Sequence, residues 1–342
     1  MGTAPLVTTV AVLAALVAGC RSSGARPAPE GRPLEPIFTW SDAILYVGGG
    51  LTDEFEDASR LDDVASLGFN ALAIARPAED ARLAEFADDC HARGVKLLSR
   101  VEGELGPDAA ASARRAGVDG FFLEGAESPR SLEAAGPDVL VVSRHAPREP
   151  FQTRAELDLS FHGSAAAFLL GREPGRALDH VLEVREVPRL FATFLSLGPG
   201  GSPAELGGDA SLVGLAAVLQ TTALGIPTVE AGPNRLDERL RSLYAKLIRI
   251  RLEHVALRRG RHIGLVTDGD VYVFVRDDWR SAETIAVVVN RSSERRTVRF
   301  KAPAIWTGKL VYDLMGSKDL RVDARGVEVA LEGRGARILT AR

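Results

Sequence analysis

The chain has 342 residues, 46% of them hydrophobic and 26% charged, with a formal net charge of −4. That length and apolar content allow one large domain plus a small one, and the weak net charge points away from nucleic acid as a partner. The two cysteines, Cys20 and Cys90, give no disulfide framework, because Cys20 falls in a processing site and leaves Cys90 without an internal partner.

Residues 6–18 (LVTTVAVLAALVA) form an apolar run too short to span a bilayer comfortably. The run ends in Val17-Ala18-Gly19-Cys20. Small residues before a cysteine resemble the lipobox of bacterial lipoprotein signal peptides, which implies lipidation of Cys20. No Lys or Arg precedes Cys20, a departure from the usual n-region. An ordinary secretory signal or a short apolar anchor is the other reading. The organisation expected is therefore a signal peptide over residues 1–19 and a Pro/Gly/Ser-rich tether over residues 20–36. The localisation that follows is the bacterial cell envelope, lipid-anchored, with the outer membrane favoured on its periplasmic or surface side.

From residue 37 to 259 short apolar runs alternate with helical stretches. Eight runs read as strands: Ile44–Val47, Ala71–Ala75, Val95–Val101, Gly120–Glu124, Val139–Ser143, Leu157–His162, Leu190–Leu195 and Ile226–Glu230. Leu61/Val64/Leu67 and Leu83/Phe86/Cys90 show helical spacing, and Gly68, Gly94 and Gly117 mark helix stops. The pattern predicts an α/β fold, a (β/α)8 TIM barrel; an open doubly wound sheet is the alternative. Gly48-Gly49-Gly50 lacks the spacing of a dinucleotide fingerprint and reads as a tight loop.

Residues 237–259 read as one long amphipathic helix, and the Arg258/Arg259/Arg261 run as its solvated end. From 260 to 342 the texture becomes β-rich, with runs at Val271–Val275, Thr284–Val289, Arg296–Phe300, Lys309–Leu314 and Val327–Leu331. This predicts a small antiparallel β-sandwich as a separate domain. Trp279 and Trp306 read as packing residues, although either could serve a carbohydrate-binding face.

The Gly117–Ala126 stretch carries the chemical question. It reads as a loop, a buried strand and then Glu124 where the strand ends, which is where barrel enzymes place catalytic groups. Arg100, Glu102, Glu104, Ser143, Arg144, His145, His162 and Glu230 should also lie near that rim, where polar residues are ordinary in any barrel. The six histidines show no metal-binding spacing, so neither a metal nor a cofactor is expected. His91 and His254 fall on expected helices, Cys90 on an apolar helix face, and Gly198–Gly201 with Pro199 and Pro203 reads as a loop over the mouth.

Several segments, in order, resemble the α-amylase family of glycoside hydrolases: Leu67–Ile74, His91–Leu98, Ala116–Phe121, Leu224–Pro227, and Ile248–Arg251 with Ala256–Gly260. The resemblance covers the chain from about Trp40 to the C-terminus. It implies an aspartate nucleophile and a glutamate acid/base working with retention, a third carboxylate, an arginine near the nucleophile and sugar-holding histidines. Position by position, the family's aspartate, asparagine and histidine after the third strand fall on Arg100, Glu104 and Leu105. Its arginine and nucleophile fall on Phe122 and Glu124, its acid/base on Ser143, and its late histidine–aspartate pair on Gly198 and Pro199. The loop after the third strand is short, so the family's inserted subdomain is missing or vestigial. Only Glu124 keeps a carboxylate in register, one methylene longer than aspartate. The expected function is a degenerate, non-hydrolysing family relative that binds an α-glucan, another glycan or a protein partner. The alternatives are an active, diverged glycosidase or transglycosidase using Glu124 with Glu102 or Glu104, and a structural envelope scaffold.

Overall fold

In the computed structural model the described residues are 40–51, 58–75, 81–125, 128–143, 154–183, 193–199, 206, 208–230, 238–316 and 320–342. The signal peptide, Cys20 and the tether lie outside them. Eight parallel strands come first: β1 (Leu45–Leu51), β2 (Ala71–Ala75), β3 (Lys96–Val101), β4 (Gly120–Leu123), β5 (Leu140–Ser143), β6 (Arg154–Asp158), β7 (Thr193–Pro199) and β8 (Ile226–Glu230). Each pairs with the next, and β8 pairs back onto β1 through Leu45↔Thr228, closing the ring. Helices α1 (Ala58–Ser66), α2 (Leu83–Ala92), α3 (Pro107–Arg115) and α4 (Pro129–Ala135) separate β1 to β5. Helices α5 (Leu159–Leu169) and α6 (Gly175–Glu183) follow β6, α7 (Ala210–Thr222) precedes β8, and α8 (Glu238–Glu253) and α9 (Val255–Arg259) follow it. Residues 144–153, between β5 and β6, lie outside the described residues.

Alternation along the strands sorts the two faces. Leu72, Ile74, Leu97, Phe121, Leu123, Val141 and Val229 join the core shared with the helices. The intervening residues fill the ring. A Cβ on Gly120 would stand 2.8 Å from the Leu140 carbonyl oxygen and 3.5 Å from Leu98 Cγ, so Gly120, Leu98 and Leu140 meet in one interior layer.

The C-terminal part forms two antiparallel sheets. One contains β9 (Arg261–Val266), β10 (Val271–Asp278), β11 (Glu283–Asn290), β13 (Val311–Asp313) and β16 (Ala336–Ala341). The other contains β12 (Arg296–Phe300), β14 (Leu320–Asp323) and β15 (Gly326–Leu331). Strand alternation divides the larger sheet. Tyr272, Phe274, Ile285, Val287 and Val289 pack into the helical core, whereas Val273, Val275, Ala286 and Val288 pack with Phe300, Val327 and Val329 of the smaller sheet. Residues 39–342 thus form one compact unit. Among the described residues no helix is long and apolar enough to cross a membrane.

Buried polar groups fasten the sheets to the barrel. Asp179 of α6 accepts from Tyr272 Oη at 2.8 Å and meets His262 Nε2 at 2.8 Å. At the end of α7, Arg251 donates to the carbonyls of Thr221 (2.7 Å), Ala223 (3.3 Å) and Gly225. Arg276 donates to Thr222 (2.9 Å) and Gly260 (2.6 Å). Helix C-termini leave carbonyls without intrahelical donors, and cations suit that end of the dipole. Burial, with Arg258 nearby, pushes Arg251 down to about 9, while Asp42 opposes that shift; it stays charged at neutral pH.

Several expectations are corrected. Gly48–Gly50 is not a loop but part of β1, where a register shift between Val47 and Leu51 suits glycine. The expected strand Leu157–His162 is β6 only to Asp158; Leu159 begins α5, so His162 is helical. β7 runs on through Gly198 and Pro199, with a register shift after Ser196, so those two residues are strand rather than loop; residues 200–205 lie outside the described residues. The long helix breaks at His254, where Glu283 accepts from Ala256 N at 2.8 Å and meets His254 Nδ1 at 2.6 Å. Arg258 and Arg259 are not merely solvated: both pair with Asp42, at 2.8 and 2.5 Å. Strands β9, β14 and β16 were not expected. His91 meets Asp119 at 2.7 Å, Cys90 is buried and free, and Trp306 is buried, as packing required.

Two measurements check this account. Arg251→Met strips the donor from the carbonyls of Thr221, Ala223 and Gly225 and should destabilise the fold by roughly 3 kcal/mol or more, read from the denaturant midpoint. Glu283 desolvation raises its pKa, but hydrogen bonds from His254 and Ala256 outweigh this and hold it below the ordinary 4.5. Its stabilisation is therefore complete above about pH 4.5 and fades as pH falls through the lower folded value. Glu283→Gln should flatten that acid-side slope in pH-dependent melting; an unchanged slope would count against the assignment.

Candidate functional site

The C-terminal ends of β3, β4 and β1 build the candidate site. Lateral register sets Arg100 opposite Phe122 and Val101 opposite Leu123. The ladder then continues one residue past β4, with Glu124 N donating to Val101 O at 3.0 Å. Arg100 lies two residues beyond the interior Leu98, and Glu124 lies four beyond the interior Gly120, so alternation turns both toward the lumen. There Arg100 Nε donates to Glu124 Oε1, and its Nη1 donates to the Gly48 carbonyl at 2.8 Å. The two side chains are only 19% and 18% exposed, so water screens the pair weakly. The bulged glycine segment of β1 thus has a second role, as the carbonyl that fixes Arg100.

Glu230 ends β8, buried and in register with Val47, one residue before Gly48. Because Val229 faces the helices, Glu230 faces the lumen. The structure therefore brings Arg100 and Glu124 into contact and sets Glu230 toward the same mouth. Ser143 ends β5 in register with Leu123 and is fully buried, sharing Val141's helix-facing side by alternation rather than the lumen. Glu102 is exposed in the loop after β3. Glu104 is directed elsewhere: its Oε1 is 3.2 Å from Ser128 Oγ, and Arg130 stands 3.7 Å away. Ser128 caps α4, and Leu105 N donates to Ser131 Oγ at 2.9 Å, which ties the loop after β3 to that helix. Glu104, Leu105, Pro107 and Arg130 line a cavity of about 460 Å³ there. His162 is half-buried in the first turn of α5. Arg144 and His145 lie outside the described residues. Among the described residues no group of three or more His, Cys, Asp or Glu side chains is placed to hold a metal ion.

Sequence reasoning placed Arg100 and Glu124 on the rim but missed their contact and the role of Gly48. The strand ends were readable; the pairing depends on register across strands 24 residues apart in the chain.

No family model matches the chain, and no curated protein matches it. Solved structures do. The α-amylase from Geobacillus thermoleovorans, determined with acarbose, superposes with a TM-score of 0.70 at 15% identity, covering 89% of this chain and 99% of that one. The debranching enzyme of Nostoc punctiforme gives 0.67 at 15% identity over 88% and 98%. The ligand-free cyclic α-maltosyl-(1→6)-maltose hydrolase from Arthrobacter globiformis gives 0.66 at 18% over 88% and 99%. At these identities the likeness establishes a shared fold, that of α-amylase-family enzymes.

A double-mutant cycle measures the central pair. Arg100→Met and Glu124→Gln should each destabilise the protein, and the double variant should lose less than their sum, with a coupling of roughly 1–3 kcal/mol. Additive losses would mean that the contact contributes nothing.

Proposed function

We propose that this chain is a lipid-anchored envelope protein that binds α-glucan at the mouth of an α-amylase-like (β/α)8 barrel without hydrolysing it. The observation that carries this reading is the Arg100–Glu124 pair, which occupies the place where the resemblance sets the nucleophile. Glu124 is engaged there by a guanidinium, itself anchored on Gly48. The resemblance sets the acid/base at Ser143, a hydroxyl buried on the helix-facing side of β5, which offers no proton to the lumen. Without a proton donor to the leaving oxygen, acceleration of roughly 10²–10⁴-fold is forgone. Binding makes a smaller demand: a concave mouth with fixed donors and acceptors for sugar hydroxyls, which Arg100, Glu124 and Glu230 supply. Lipidation of Cys20 and the 20–36 tether would hold the barrel at the membrane, in reach of envelope glycans or a protein partner.

One observation favours an active, diverged glycosidase as the second reading. Arg100 restores a guanidinium beside the nucleophile position, although it comes from β3 rather than from the position held by Phe122. Glu124 would then act as nucleophile. Glu230 is better aimed than Glu104 to donate a proton, because Glu104 turns toward Ser128 and Arg130.

A reducing-end assay on the purified full chain, in a sugar-free detergent and with a panel of α-glucans and trehalose-like disaccharides, separates the two. The binding reading expects no turnover, and saturable glucan binding by calorimetry that weakens about tenfold or more in Arg100→Ala. Turnover abolished by Glu124→Gln would instead establish the glycosidase. Neither turnover nor binding would overturn both and direct attention to a protein partner.

A further inference from the structure

The other end of the barrel carries a feature unlike anything at the mouth. A groove of about 830 Å³ opens where α9, β9 and the β10–β11 hairpin meet, with Leu224 among its lining residues. Leu224 precedes β8, and Asp42, the partner of Arg259, precedes β1, so the groove lies at the N-terminal end of the strand ring. Trp279 stands on its lip, 74% exposed, contrary to the packing role expected for it.

The hairpin presents this ring in a fixed way. Asp278 accepts from Ser281 Oγ at 2.6 Å and from the backbone N–H groups of Arg280 and Ser281 at 3.3 Å, closing the turn around 279–282. The Ser281 hydroxyl and those N–H groups hold Asp278 below the ordinary carboxylate range against the opposing effect of burial, so the turn stays locked at neutral pH. Ala282 sits at φ 53°, a left-handed position that fits a tight turn. The Arg280 guanidinium lies 5.3 Å from the Trp279 ring centroid. Deeper in, Asp277 accepts from Arg261 at 3.0 Å and from Thr284 Oγ1 at 2.7 Å.

From this geometry we propose that the groove is a second saccharide-binding site, in which a neutral glucan chain stacks on Trp279 and hydrogen-bonds to the Arg261–Asp277 pair. Its ligand class rests on the function proposed above; its position and residues do not. Three points select this occupant. A rigid, exposed indole offers a flat apolar face to the axial C–H groups of a pyranose. Two of the groove's guanidiniums already hold carboxylates, Arg261 on Asp277 and Arg259 on Asp42, and the third, Arg280, lies over the Trp279 ring, which suits vicinal hydroxyls better than a polyanion. The site is concave, and the other exposed large apolar residues among the described ones, Leu265, Leu310 and Val322, do not line it, so it lacks the continuous apolar footing that a bilayer or a protein partner would take.

The test uses the protein's own fluorescence. The chain has three tryptophans; Trp306 is buried and Trp40 half-buried, so acrylamide quenching reports chiefly on Trp279. Titration of the full chain with maltoheptaose should lower the quenching slope about twofold or more as the ring is covered. Calorimetry should show that event weakened about tenfold in Trp279→Ala and less in Trp279→Phe, which keeps a ring. A quenching slope unchanged at saturating maltoheptaose overturns the proposal, as does unaltered affinity in Trp279→Ala. Shielding by phosphatidylglycerol vesicles alone, with none from the sugar, also overturns it and assigns the ring to the membrane. Glucan binding that persists in Trp279→Ala but falls in Arg100→Ala belongs to the barrel mouth, so failure of either reading is seen separately.

Discussion

The structure hangs on the carboxy-terminal end of α7. A helix that stops against a buried strand must find donors for its last carbonyls, because water cannot reach them. Here two guanidiniums supply them. Arg251 arrives from α8 and Arg276 from β10, and between them they take the carbonyls of Thr221, Thr222, Ala223, Gly225 and Gly260. One residue earlier, Gln220 donates to Thr228 O at 2.8 Å and accepts from Tyr244 at 2.7 Å. These bonds fix where β8 begins, and β8 closes the ring onto β1. They also make the larger antiparallel sheet part of the barrel's own packing.

This arrangement divides the barrel into two ends with different work. Around the N-terminal end of the strands, polar chemistry is spent on structure: Arg251, Arg276, the Asp42 pairs and the His254–Glu283 contact all satisfy buried or half-buried groups. The opposite end keeps its polar groups facing a lumen, with Arg100, Glu124 and Glu230 at strand termini. The contacts at helix ends are thus gathered at one end, and the strand termini at the other present the groups that barrel folds use for function.

Much of this was legible where local pattern and tertiary environment agree. Ala71–Ala75 and Gly120–Leu123 are apolar on both faces because both faces are covered, and they appear in the sequence as strands. β6 fails the same test: Arg154-Ala155-Glu156-Leu157-Asp158 is mostly polar, and the apolar signal beginning at Leu157 belongs largely to α5. The break at His254 was invisible because its cause, Glu283, lies 29 residues away. The site follows the same rule. Glu124 could be found from strand-end position alone. The guanidinium that meets it, and the carbonyl of Gly48 behind that guanidinium, required the register of three strands. Trp279 was misjudged because its exposure is set by hydrogen bonds of Asp278 within the turn rather than by the alternation of β10.

The two proposed sugar contacts make different demands on this framework. At the mouth, an ion pair in a weakly screened lumen is held by its own Coulomb attraction, and a ligand must compete with that attraction or bridge it. In the groove, the Trp279 ring is met among the described residues by the neighbouring Arg280, and its turn is already ordered, so little backbone entropy is lost on binding. The groove is therefore suited to capture and the mouth to discrimination. Because they lie at opposite ends of the strand ring, a long chain reaching both would gain avidity only if it could span the barrel's length, whereas separate chains would be joined through the protein.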